Sequence, residues 1–216
     1  MSAEARPTAE ARVIRILAVD DHPLVRGGIS GLVGGQSDMK LVGEASNGRD
    51  AIQQFRKHRP DITLMDMQMP EMNGVDAISA IRGEFPEARI IVLTTYAGDV
   101  QVQRALQAGA RAYLLKNTLH KELLDTIRAV HAGKKTISPE VSFELAEHAT
   151  DDALTPGEIA VLRLIAAGNA NKQIADQLSI TEETVKGRVK NILSKLGAND
   201  RTHAATIGIK RGIIEL

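Results

Sequence analysis

Val13-Ile-Arg-Ile-Leu-Ala-Val19 runs straight into Asp20-Asp21-His22-Pro23, and this junction decides the fold. A short, mostly apolar run ended abruptly by two acids reads as a strand buried on both faces. Pro23 stands where a first helical position falls, opening a helix that ends near Gly34-Gly35. The same unit then recurs along the chain. Lys40 to Ala45 reads as a strand and Arg49 to His58 as a helix. Asp61 to Asp66 is a third strand, followed by a turn at Pro70 and Asn73-Gly74 and a helix through Val75 to Ile81. Arg89 to Thr94 precedes a helix from Val100 to Ala108, stopped at Gly109. Ala112 to Lys116 precedes one from Leu119 to His131, stopped by Gly133. Five strand-then-helix units with short connections predict a parallel, doubly wound α/β sheet covered by helices on both faces.

The pattern loosens from Lys134 to about Asp151, a linker segment in which Pro139 to His148 suits a short helix. After Leu154 the strands cease. Thr155-Pro156 opens a helix to about Ala167, and Lys172 to Leu178 forms a second. Ser179-Ile180 makes a tight turn, and Thr181 caps a third helix running to Leu196. Asp200 or Thr202 starts a last one that ends near Gly212. Two short helices joined by a tight turn, the second bearing cations, suggest a helix-turn-helix. The expected organisation is a polar, disordered tail over 1–11, an α/β domain over 12–133, the linker over 134–151 and a four-helix, all-α domain over 152–216.

The length of 216 residues allows one large domain or two modest ones, and 43% apolar and 25% charged residues, with 27 Lys+Arg against 27 Asp+Glu, is globular composition. Zero net charge argues against a chain that coats nucleic acid or membrane by bulk attraction. The average hides a contrast. Residues 152–216 carry nine Lys/Arg and seven Asp/Glu, and 186–195 hold four cations and no acid. Few aromatics disfavour a binder that stacks single-stranded bases. The absence of cysteine excludes disulfides, thiolate nucleophiles and Cys-ligated metals. With no apolar run near 18 residues and no signal core, the sequence reads as cytoplasmic, without a membrane partner.

In an open parallel sheet, ligands bind beyond the carboxyl ends of the strands, where strand order reverses. With order 2-1-3-4-5, strands one and three flank that point, and they end in Asp20-Asp21 and Asp66. Three converging carboxylates repel unless a cation joins them, and few carboxylates plus water is magnesium's habit. Strand four ends in Thr94 and strand five in Lys116. Carboxylate, divalent metal, hydroxyl and ammonium are the parts that hold a phosphoryl group during in-line transfer.

Asp20-Asp21-His22-Pro23, Leu64-Met-Asp66-Met-Gln-Met-Pro70 with Gly74, Leu93-Thr94 and Gly109-Ala110-Arg-Ala-Tyr113-Leu-Leu-Lys116 together resemble a two-component receiver domain. The resemblance implies that Asp66 accepts phosphate from a sensor histidine kinase. It implies that Asp21, Asp66 and the backbone carbonyl of Gln68 bind Mg2+, with Asp20 acting largely through water. Lys116 would pair with the phosphoryl group, Thr94 would swing in to bond it, and Tyr113 falls at the family's aromatic switch position. Asn117 stands where many receivers have proline, as is common in the NarL/FixJ type. Aspartyl-phosphate phosphatases of the haloacid dehalogenase type place a second acid two residues after the nucleophile. Gln68 cannot donate that proton, so a phosphoacceptor capable of autodephosphorylation is expected rather than a turnover enzyme.

Residues 154–204 resemble a LuxR-type helix-turn-helix along their length, through Leu154-Thr-Pro-Gly-Glu158, Asn171-Lys-Gln-Ile-Ala175, Thr184-Val-Lys186, Asn191-Ile-Leu-Ser-Lys-Leu196 and Arg201. Val185, Val189, Ile192 and Leu196 form a core stripe, and Lys186 and Lys190 share a face away from it. The DNA-binding set implied is Lys172, Thr184, Lys186, Gly187, Arg188, Lys190 and Arg201. Within it Lys186, Gly187 and Lys190 face base edges, while Lys172, Thr184 and Arg201 face the backbone. Four positions depart from the pattern: Gly157 replaces the usual Arg, Ala170 the usual Ser cap and Arg188 a common His, and Gly187 offers no side chain to a base. The whole resembles a NarL/FixJ-type response regulator, which implies double-stranded DNA as ligand and a homodimer on phosphorylation or DNA binding.

Overall fold

The computed structural model describes residues 13–95, 99–137, 141–142 and 153–214. The tail expected over 1–11 and most of the linker helix expected over Pro139 to His148 lie outside these residues, although Val141 and Ser142 are helical. The chain divides into two compact units: Met1–Thr94 with Ala105–Thr136, and Thr95–Arg104 with Ile137–Leu216.

In chain order the α/β elements are β1 (Ile14–Val19), α1 (Pro23–Gly34), β2 (Met39–Ala45), α2 (Gly48–His58), β3 (Ile62–Asp66), α3 (Gly74–Glu84), β4 (Ile90–Thr94), α4 (Asp99–Gln107), β5 (Ala112–Leu115), α5 (Leu119–His131) and β6 (Thr136–Ile137). The sheet has order β2-β1-β3-β4-β5-β6, and the pairings among β1 to β5 are parallel. The five expected strands keep their expected order, and the sixth corrects the count. It is two residues long, too short to show a period of two. It joins the edge as Thr136 N–H donates to the Arg111 carbonyl at 3.0 Å.

One face of the sheet packs Ile16, Ala18, Leu64, Leu93 and Leu114 against Ile29 and Val33 of α1 and Leu123, Ile127 and Val130 of α5. Side chains alternate along each strand, so Leu17, Val19, Met65 and Val92, all fully buried, point to the other face. Arg128 of α5 ties that helix to the α1–β2 connection, bonding Asp38 at 2.8 and 3.1 Å and Gln36 at 2.8 Å.

The second unit contains α6 (Pro156–Ala166), α7 (Asn171–Leu178), α8 (Glu182–Leu196) and α9 (Arg201–Lys210). Each expected start has its physical cause. Thr155 accepts from Glu158 N–H while Glu158 reaches back to Thr155 N–H, a reciprocal cap. Thr181 caps α8 through Thr184 N–H, and Asp200, the first of the two expected starts, caps α9 through His203 N–H. The turn between α7 and α8 passes through Ser179 in left-handed backbone, φ 52°. Val185 and Ile192 are buried and Val189 and Leu196 partly so, among Val161, Leu162, Ile174 and Ala204, which is the stripe expected of α8.

Candidate functional sites: an acidic pocket and a basic helix

Strands β1 and β3 are neighbours, so their carboxyl ends deliver Asp20, Asp21 and Asp66 to one place. Asp20 is fully buried, Asp66 nearly so, and Asp21 partly exposed. From the end of β5, Lys116 Nζ reaches between them, 2.8 Å from Asp20 Oδ2 and 3.0 Å from Asp66 Oδ2. Asp66 Oδ1 accepts from Met67 N–H at 2.8 Å. Burial, then the charge of Asp20, pushes the Asp66 carboxyl up to about 6 against the pull of Lys116. Burial also works against the Lys116 charge, but its bonds to Asp20 and Asp66 outweigh it and hold the ammonium above its usual value.

The loop after β3 is held by close backbone approach. A Cβ at Gly74 would lie 2.2 Å from the Asp66 carbonyl oxygen and 2.9 Å from Met67 Cα, so nothing larger than glycine fits. Gly74 N–H donates to the Met67 carbonyl at 3.0 Å. Gln68 lies on this loop with an exposed side chain. Thr94 is buried at the end of β4, and Tyr113 is buried within β5. Burial pushes the Tyr113 phenol up to about 12, the nearby Thr94 hydroxyl pulls the other way, and the Asp66 charge adds to the rise.

Two residues that carried no role in the sequence reading belong to this pocket. His22 Nδ1 lies 2.7 Å from Asp21 Oδ1 and 3.3 Å from Asp20 Oδ1. Arg26 donates to the Asp20 carbonyl at 2.6 Å and to Glu44 at 3.1 Å, pinning the strand-end turn from α1. The sequence signal for both was their place in the run after Asp21, which spacing alone does not convert into a contact. Asp20, Asp21, His22 and Asp66 each offer a ligand atom, all within 4.8 Å of one another. Three carboxylates against one ammonium leave a negative excess, and an oxygen-rich set of this kind fits a hard divalent cation.

The basic helix α8 shows a second site. Lys186 and Lys190 are exposed on one face. Lys186 Nζ lies 3.7 Å from Glu182 and 3.9 Å from Glu183, in the acidic first turn. Gly187 is exposed beside them, with nothing near where a Cβ would be. Lys172 is exposed in the first turn of α7 and Thr184 in that of α8, its hydroxyl 2.8 Å from that of Thr181. The remaining two cations turn inward. Arg201 donates to the Asn169 carbonyl at 2.5 Å and to Asn171 Oδ1 at 3.4 Å, and Arg188 donates to the Gly157 carbonyl at 3.3 Å.

No helix among the described residues is long and apolar enough to cross a membrane. Residues 16–128 match the model of the response regulator receiver domain, and 152–207 match that of the bacterial regulatory proteins of the luxR family. The response regulator protein VraR of Staphylococcus aureus is 39% identical over 207 residues, covering 94% of this chain and 99% of that protein. The LuxR-family response regulator of Aurantimonas sp. SI85-9A1 is 34% identical with a TM-score of 0.61, over 64% of this chain and 99% of that one. RcsB of Salmonella enterica serovar Typhimurium, solved bound to promoter P1flhDC with the phosphomimetic BeF3-, is 28% identical with a TM-score of 0.71, over 90% and 97%. A receiver pocket, a LuxR-type helix-turn-helix and relatives matched almost end to end show that the chain belongs to the two-component response regulators that regulate transcription through a LuxR-type DNA-binding domain.

Proposed function

We propose that Asp66 is the phosphoacceptor of a switch that controls sequence-specific binding to double-stranded DNA. The observation that carries this reading is Lys116 Nζ bridging the buried Asp66 and Asp20 at 3.0 and 2.8 Å. In the forward step an Asp66 carboxylate oxygen attacks the phosphorus of a phosphohistidine on a sensor kinase. The new O–P bond forms as the N–P bond breaks, and the imidazole leaves with its electron pair. Asp66 Oδ1 is already engaged by Met67 N–H, which leaves Oδ2, on the Lys116 side, as the attacking atom. Lys116 then follows the charge onto the phosphoryl oxygens, and the Thr94 hydroxyl bonds them. The buried Tyr113 phenol lies close enough to Thr94 and Asp66 for both to act on it, so movement of Thr94 would link the pocket to β5.

Asp21, Asp66 and the Gln68 carbonyl would hold Mg2+, with Asp20 acting through water, and the cation would neutralise charge on the transferring group. The same pocket would allow autodephosphorylation, without the second acid that a turnover phosphatase needs. The receiver is assigned to 12–133, the linker to 134–151 and the DNA-binding domain to 152–216, in a cytoplasmic protein that dimerises on phosphorylation or on DNA. Lys186, Gly187 and Lys190 face bases, while Lys172 and Thr184 serve the phosphate backbone, as Arg201 would on releasing the Asn169 carbonyl.

Incubation with acetyl phosphate and Mg2+, read by intact mass, should add one phosphoryl group to wild type and none to Asp66→Asn. An unmodified, folded wild type would sink the switch. Lys186→Ala and Lys190→Ala should weaken operator binding with receiver phosphorylation unchanged. Undiminished binding by the double variant would mean that another surface reads DNA.

A further inference from the structure

Helix α8 carries cations on two opposite faces. At about 100° per residue, Lys186, Gly187 and Lys190 fall within roughly 100° of one another, whereas Arg188 and Lys195 lie about 180–200° round from Lys186. Both far-side cations reach the first turn of α6. Lys195 Nζ lies 2.9 Å from Glu158 Oε2 and 3.1 Å from the Ala153 carbonyl. Arg188 is half-buried and bonds the Gly157 carbonyl at 3.3 Å. A Cβ on Gly157 would lie 3.0 Å from both Cζ and Nη1 of Arg188 and 3.2 Å from Nη2. Three nearly equal distances mean that the guanidinium turns its flat face to Gly157, in a notch where an added Cβ would press it outward.

We propose that Arg188 is a positioning residue: its guanidinium, seated in the Gly157 notch, fixes the rotation of α8 about its own axis and so aims Lys186 and Lys190, without touching DNA. This rests on α8 being the DNA-facing helix. A single apolar stripe sets how closely α8 packs but resists rolling weakly. Two polar anchors seven residues apart, beside that stripe, resist it well. Side-chain tips lie about 5–6 Å from a helix axis, so a roll of only ~10° moves them by about 1 Å. That is enough to spoil a hydrogen bond to a base edge. Arg188, expected from sequence to contact DNA, instead spends its planar donor group on α6.

The test measures binding of the full chain to a fragment selected by wild type, across a salt series, at a temperature where circular dichroism shows every variant folded. Arg188→Ala and Gly157→Ala should each weaken binding by about 3- to 10-fold, the scale of one lost hydrogen bond. The plot of log K against log salt should keep its wild-type slope for both, while Lys172→Ala, at a residue placed on the phosphate backbone, lowers it by about 0.9. Alanine is the better helix former, so a loss in Gly157→Ala reports eviction of the guanidinium. Gly157→Ala with Arg188→Ala should then be no worse than either alone. Arg188→Lys should fail to rescue, because an ammonium cannot lie flat in the notch. A drop of about 0.9 in slope for Arg188→Ala, or an altered base preference, would show that Arg188 touches DNA. Unchanged affinity in the folded variants would reduce it to a merely structural role. Additive losses would show that the two positions act separately. If Lys186→Ala and Lys190→Ala bind normally, the DNA-face reading fails instead, and the 157–188 coupling is then seen in thermal unfolding alone.

Discussion

Asp66 is the residue whose chemistry and stability pull in opposite directions. Its carboxyl is raised from 3.8 to about 6 by burial and by Asp20, so the folded chain holds that proton more tightly than the unfolded one. Stability therefore falls as pH rises from near 3.8 to about 6. At neutral pH the ionised side chain costs the receiver on the order of 3 kcal/mol. Asp66→Asn, which removes the charge and keeps the shape, should raise the thermal midpoint at pH 7 and lose that advantage below pH ~4, where Asp66 is protonated in both states. Mg2+ should narrow the gap at pH 7 by stabilising wild type through binding to the folded state. Calorimetry across pH with both proteins decides it, and an advantage over wild type no larger at pH 7 than at pH 4 would contradict the raised value. On the proposed reading this crowded acid is also the phosphoacceptor, and a carboxylate crowded by another gains most when its charge is shared with a cation or a phosphoryl group.

At the scale of the element, the first turn of α6 is the joint on which α8 is mounted. Glu158 is buried and serves as cap, acceptor and counter-ion, with Thr155 N–H at 2.8 Å and Lys195 Nζ at 2.9 Å on the same oxygen. Burial alone would raise its carboxyl. The bonds from Thr155 and Lys195 more than offset that and hold it below the usual value. A depressed acid contributes fully above the unfolded value of about 4.3 and loses that contribution as pH falls through its folded one. Glu158→Gln should therefore destabilise the helical unit at pH 7 by about 1–3 kcal/mol, and the deficit should shrink as wild type itself is acidified below pH ~4. An equal deficit at pH 7 and pH 3 would mean that the charge contributes nothing. These elements were largely legible in the sequence. Apolar runs ending in Asp or Thr marked β1, β3 and β4, and Thr155, Thr181 and Asp200 announced their helices. What escaped was set by tertiary partners. β6 is too short to carry a pattern, and Lys195 shows its role only once Glu158 is beside it. Gly157 and Arg188 looked like two separate departures from the family pattern, but in space they form one contact.

For the whole molecule, the claim to be tested is that the pocket and the basic helix are linked, and linkage has a symmetry that binding can measure. If a phosphoryl group at Asp66 raises operator affinity by some factor, the operator must raise the affinity of the pocket for that group by the same factor. A covalent phosphoryl group does not equilibrate on the time scale of binding, but beryllofluoride, a reversible mimic of it, does. In the presence of Mg2+, beryllofluoride should tighten operator binding, and saturating operator should tighten beryllofluoride binding equally. A coupling of about 1–3 kcal/mol, roughly 5- to 150-fold, is the ordinary range for such switches. Asp66→Asn should abolish both effects while leaving unstimulated DNA binding intact. Lys186→Ala with Lys190→Ala should abolish only the operator's effect on the pocket, with beryllofluoride still bound at its DNA-free affinity. Each variant thus silences one end of the linkage and reports on the other. Calorimetric titration of both ligands gives the two factors independently. Unequal factors would reveal a third participant, such as a change of oligomeric state, which concentration dependence would identify. Two factors both equal to one, with a phosphorylatable receiver and a DNA-binding helix each working alone, would mean that this chain binds DNA without phosphate control.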